Sequence, residues 1–167
     1  MPIQLLDDIN RTISMHTLLW NSVAAIPKVI RMWQRMCASE VNPDRIVHSS
    51  AEWVRDLSVM MEHFGADTPA HKLAGEQLAA VEKITGLTPV LKVWSSPVLM
   101  EWHWKQIEEV IGQELIDPSV ITLGQIESWE LQKFQDELHS IEVTFRRADF
   151  LPAYFGFHLT HSKTSAL

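Results

Sequence analysis

Three groups of side chains in this sequence have types and spacings that could do chemistry. Asp136 and His139 stand three apart, which brings a carboxylate and an imidazole to one side of a helix. A di-iron centre in a helical bundle is built from two Glu-x-x-His pairs and two further glutamates, and Asp136-x-x-His139 is one pair with the other acid. Because Phe134, Leu138 and Ile141 define the apolar face of the same segment, Asp136 and His139 are expected to face water. His158 and His161 repeat the spacing in a stretch, Phe150 to Leu167, that holds no Asp or Glu, and an exposed pair is expected there. The third group is Trp102-His103-Trp104, where two rings flanking an imidazole could stack on a ligand or face a cation. Helical geometry favours a structural role, since Trp104, Ile107 and Ile111 share a face. Trp104 then anchors the helix in the core, and His103 beside it caps or bonds a neighbouring backbone carbonyl.

Other chemistry finds no candidate. None of the six glycines is followed by Lys, so no loop combines backbone donors with the ammonium that a bound triphosphate needs. No serine sits in a Gly-x-Ser-x-Gly turn, and Cys37 falls on an apolar stripe where a thiol behaves as a small hydrophobe. No metal, cofactor or catalytic residue is expected.

A formal net charge of −7 provides no cationic field for nucleic acid or an anionic membrane. One cysteine cannot form an internal disulfide, which is compatible with a reducing compartment. The first residues lack the basic start and apolar run of a signal peptide, and the longest charge-free stretch, Thr12 to Pro27, is interrupted by Ser, His, Thr and Asn. A soluble protein is expected.

The elements that would position these residues read as helices throughout. Trp20, Val23, Ile30, Trp33 and Cys37 lie three, four or seven apart on a first helix reaching about Met36, with Pro27 predicting a kink or a break near Ala24. Asn42-Pro43 is a cap followed by a first-turn proline, and Ile46, Ser50, Trp53, Leu57, Met60, Met61 and Phe64 line one face up to Gly65. Thr68-Pro69 repeats the device for a third helix, striped by Leu73, Leu78, Val81 and Ile84 and stopped by a left-handed Gly86. Thr88 to Pro97 should connect to a short helix, Leu99 to Ile111, closed by Gly112. Leu123 to Trp129 is a brief helix, and Phe134, Leu138, Ile141, Phe145 and Ala148 form a heptad-like seam on the last. The fold class is therefore all-α, an elongated antiparallel helical bundle of about five to six helices, in which the first, second, third and last pack together. Residues 1–149 form the bundle and residues 150–167 a divergent aromatic tail with the only tyrosine and three of six phenylalanines.

Three separated segments, in the same order, resemble the linker of dynein heavy chains, their second N-terminal homology region. Leu18-Leu19-Trp20-Asn21-Ser22 with Ile30-Arg31-Met32-Trp33 resembles the family's opening Leu-Trp helix and second tryptophan. Ser96 to Ile107, with Pro97, Leu99, His103, Trp104 and Ile107, resembles the Asn-Pro, Leu and Arg-His-Trp signature, departing from it at Met100 and Trp102, where the family carries basic residues. Ile121 to Ile126, with Thr122, Leu123 and Gly124, resembles the Thr-Leu-Gly start of the next short helix. The likeness runs from about Thr17 to Ala148.

The resemblance implies a mechanical element without catalysis: a rod of helices that lies across an ATPase ring and changes angle with nucleotide state. It implies as partners the dynein motor ring or remaining linker helices and other dynein subunits, with no nucleic acid, membrane or small-molecule substrate. It implies the cytoplasm and cytoskeleton, including the cilium axoneme, and a truncated or partial heavy chain with exposed apolar strips where further helices would pack. The competing readings are a free-standing helical adaptor that binds a protein partner and a metal- or ligand-binding bundle.

Overall fold

A computed structural model of the chain describes residues 2–97 and 99–148. Helices α1 (Pro2–Arg35), α2 (Pro43–His63), α3 (Pro69–Thr85), α4 (Thr88–Trp94), α5 (Glu101–Ile111), α6 (Leu123–Ser128) and α7 (Gln135–Ala148) are joined by short turns, with 3₁₀ turns at Pro118–Val120 and Leu131–Phe134. The described residues form no strand, and the all-α helical bundle is the architecture found.

The start signals act as the sequence predicts. Asn42 Oδ1 accepts from the Asp44 and Arg45 N–H groups, Thr68 Oγ1 accepts from His71 N–H, and a proline follows each cap in the first turn. α2 buries Ile46, Ser50, Leu57 and Met60, and α3 buries Ala74, Val81 and Ile84, so the two close as a helical hairpin that α1 covers. Gly112 takes the left-handed conformation at φ 66° and ends α5.

Four expectations are corrected. The break expected near Pro27 does not occur, since α1 runs through it as one helix: Ile26 and Ile30 on either side are both buried, and their packing outweighs the missing backbone hydrogen bond. Gly86 is right-handed at φ −61°, because α4 begins two residues later and the chain turns a tight corner with Leu87 inside. The expected connector from Thr88 is itself helical to Trp94, and Val90, Leu91, Val93 and Trp94 are buried. Finally, α7 does not join the first three helices; it lies chiefly on α4 and α5, with Leu138 buried. Phe145 and Ala148 of its seam, and the whole tail 150–167 with His158 and His161, lie outside the side chains described.

Two helix groups result, α1 to α3 and α4, α5 and α7, joined where α2 meets α4 and where α6 packs on α1.

Candidate functional site

The His-Trp segment builds the start of α5. His103 is fully buried, and its Nδ1 accepts a 2.6 Å hydrogen bond from the Met100 N–H, a backbone donor left over at the helix start. The imidazole caps the helix as an acceptor of an N–H rather than a donor to a carbonyl, which places the neutral ring's proton on Nε2. Trp102 stacks on that ring at 3.7 Å and keeps 43% of its surface exposed. Trp104 is half-buried, edge-on to Trp94 at 5.0 Å, and Trp94 Nε1 donates to the Pro118 carbonyl at 3.3 Å. Ile107 is fully buried, Leu99 half-buried, and Pro97 exposed in the turn before the helix.

The Thr-Leu-Gly segment joins α6 to the end of α1. Ala38 N–H donates to the Ile121 carbonyl at 2.7 Å and Leu123 N–H to the Met36 carbonyl at 3.1 Å, a short antiparallel bridge between Cys37 and Thr122. Thr122 caps α6 reciprocally: its Oγ1 accepts from Gln125 N–H, and Gln125 Oε1 accepts from Thr122 N–H at 2.9 Å. Leu123 is fully buried. At Gly124 α6 passes close to α1, since a β-carbon there would stand 3.0 Å from the Gln34 carbonyl oxygen. One turn on, the Glu127 carboxylate accepts from Gln34 Nε2 at 2.6 Å and pairs with Lys83 Nζ at 2.8 Å, with only 13% of its side chain exposed. That hydrogen bond, with the carboxylate's field, raises the Lys83 pKa above 10.5 against a small opposing effect of burial. Glu127 thus ties α6 to α1 and α3 at once.

The two tryptophans of α1 part company. Trp33 is buried and meets Trp53 of α2 at 5.7 Å, whereas Trp20 is 63% exposed. The buried stripe is Leu19, Ile26, Ile30 and Trp33, with Val23 half-buried beside it, so the sequence reading started one residue too late.

Asp136 and His139 are exposed, as expected, on the rim of an open cleft of about 520 Å³ between α4 and α7 that Pro89, Lys92, Val93 and Glu142 also line. His139 Nδ1 lies 3.6 Å from a carboxylate oxygen of the largely buried Glu142. Among the described residues no group of three His, Cys, Asp or Glu could hold a metal ion, and no helix is long and apolar enough to cross a membrane.

The geometry is therefore that of a fastening between helices, assembled from caps, stacked rings and one bridging carboxylate. Its segments coincide with those of a known family: the model for the dynein heavy chain, N-terminal region 2, matches residues 6–145. The chain belongs to that dynein heavy chain family. The region is an N-terminal dynein domain, separate from the ATPase ring. Among curated proteins it is similar to dynein axonemal heavy chain 3 of Mus musculus, 29% identical over 76 residues, which is 45% of this chain and 2% of that protein. It is also similar to the dynein-1-alpha heavy chain of the flagellar inner arm I1 complex of Chlamydomonas reinhardtii, 37% identical over 54 residues, 32% of this chain and 1% of that one. The matched parts are thus one or two hundredths of these relatives' length. No solved structure matches it.

Sequence reasoning about this dynein region missed Glu127 and Trp94. Glu127 follows Gly124 by three residues, one helical turn past the close contact, but its partners on α1 and α3 are brought to it by tertiary approach. Trp94 was hidden by prolines on both sides, Pro89 and Pro97, although Val90, Leu91, Val93 and Trp94 together form an apolar run.

Proposed function

We propose that these residues form part of a dynein heavy chain linker, a non-catalytic mechanical element of a microtubule motor. The observation that carries the reading is the family match over residues 6–145, which spans both the His-Trp cap and the Thr-Leu-Gly fastening. In that role Trp33, His103, Trp104, Ile107, Thr122, Leu123 and Gly124 keep the helices in fixed relation so that force entering one leaves through another. Rigid packing supports this, because close-packed interiors have low compressibility and pass displacement on. Trp20, Pro97 and Leu99 would lie at its surface and its turn. The partners are the motor ring or the remaining linker helices and other dynein subunits, and the setting is the ciliary or cytoplasmic cytoskeleton. The flagellar and axonemal names of the similar proteins support the ciliary one. A free-standing adaptor has no comparable support.

The test is a chimaera in which this segment replaces the matching one in a flagellar dynein heavy chain, read by microtubule gliding beside ATPase rate. Retained gliding is expected, and Gly124→Trp in the chimaera should slow gliding far more than ATP turnover. Equal loss of both would count against a force-transmitting role, and ATP turnover by the isolated chain would refute the non-catalytic reading.

A further inference from the structure

Three of the eight prolines follow a hydroxyl-bearing residue: Thr68-Pro69, Thr88-Pro89 and Ser96-Pro97. This is the acceptor pattern of proline-directed protein kinases, since the proline holds its neighbour extended and brings no N–H into the enzyme's groove. The fold separates the three. Thr88 is only 7% exposed, and its Oγ1 donates to the Thr85 carbonyl at 2.8 Å inside the corner between α3 and α4. The hydroxyl oxygen of Ser96 is shut off from solvent. Thr68 stands instead in the turn between α2 and α3, where every residue from Gly65 to Pro69 is exposed. Its backbone is extended, at φ −87° and ψ 146°, the form in which a kinase takes its acceptor residue.

We propose that Thr68 is a phosphorylation site for a proline-directed protein kinase, with ATP as the phosphoryl donor. Thr68 Oγ1 bonds to the γ-phosphorus, the bond from that phosphorus to the β–γ bridging oxygen breaks, ADP leaves, and the hydroxyl proton passes to the kinase's catalytic aspartate. Presenting the segment to a kinase costs the fold little. The Thr68 N–H and Oγ1 both donate to the Gly65 carbonyl, at 2.9 and 2.7 Å, while His71 N–H donates to Oγ1 and Lys72 N–H to the Thr68 carbonyl, each at 3.2 Å. His71 Nδ1 adds contacts of 3.1 and 3.3 Å to the Met61 and Phe64 carbonyls. Opening the turn breaks these bonds, but no residue from 65 to 71 is buried. Presenting Thr88 would instead carry the buried Leu87, Val90 and Leu91 into water. The folded hairpin also accommodates the product. A phosphate oxygen can accept from the His71 N–H as Oγ1 now does, with Lys72 exposed one residue on, and the donation to the Gly65 carbonyl is lost. The turn gains a charge of about −1.5 to −2 at neutral pH. The site is independent of the linker reading.

Incubation of the full folded chain with magnesium, ATP and a mitogen-activated protein kinase tests this, read by phosphopeptide mass spectrometry. Phosphate is expected at Thr68, with occupancy of Thr88 and Ser96 lower by roughly tenfold or more. Thr68→Ala should remove the Thr68 signal and Thr68→Ser should keep it. Pro69→Ala leaves the hydroxyl and the exposed turn in place, and should slow incorporation by roughly tenfold or more. The phosphorylated chain should keep its far-UV circular dichroism. No incorporation by a kinase that labels a Thr-Pro control peptide, preferential labelling of Thr88 or Ser96, or labelling of Pro69→Ala at the wild-type rate would each overturn the proposal. Loss of helix on phosphorylation would contradict a phosphate held at the start of α3.

Discussion

At Gly124 a missing side chain sets the distance between two helices. Alanine is ordinarily the better helix former by about 1 kcal/mol, yet here its β-carbon would press on a backbone oxygen of Gln34 that cannot rotate away. Gly124→Ala should therefore destabilise the chain by about 1–2 kcal/mol in urea unfolding, and an increase in stability would show that the helices separate at no cost. The same logic of surroundings divides neighbouring tryptophans. Trp104→Ala removes a ring wedged against Trp94 and should cost about 3 kcal/mol, while Trp102→Ala exposes the face of His103 and should cost about 1 kcal/mol. Equal losses on thermal unfolding would contradict this division.

Between elements, a single carboxylate stands out. Glu127→Ala leaves Gln34 and Lys83 without their acceptor and should cost about 1–3 kcal/mol, measurable by chemical denaturation at neutral pH. The sign of the pH effect follows from Lys83, whose pKa is raised in the folded chain. Its contribution is complete below pH 10.5 and fades as pH climbs through the raised value, so Lys83→Met should flatten the alkaline decline of stability. Most helices could be read from the sequence because their limits are local: Asn42 and Thr68 with the prolines after them, and Gly112 at a positive φ. The misreadings have a common cause in packing at a distance. Pro27 signals a kink or a break, and the burial of Ile26 and Ile30 in one core overrides the break, while Pro89 and Pro97 mask four buried apolar side chains of α4. At the site, the segments around His103 and Thr122 were legible as motifs of near neighbours, whereas the stacking of Trp102 on His103 and the reciprocal cap of Thr122 and Gln125 came only with the structure. The Glu127 bridge to α1 and α3 depends on tertiary approach, which no local spacing encodes.

Taken as one body, the molecule has two helix groups with few connections, α2 to α4 and α6 to α1, and both lie within the buried core. Those joints should make unfolding cooperative. Tryptophan fluorescence, to which the buried Trp33 and Trp94 contribute one in each group, and far-UV circular dichroism should follow one urea curve; two separated curves would mean that the groups melt independently. The fastening at the end of α1 also bears on how the chain is made. Gln34 finds its acceptor 93 residues downstream, so the ribosome must elongate for roughly five to twenty seconds after the end of α1 emerges before the carboxylate emerges to receive it. In that interval Trp33 has already left the exit tunnel while the α6 segment that packs on α1 has yet to follow, so an indole destined for the core stays open to water.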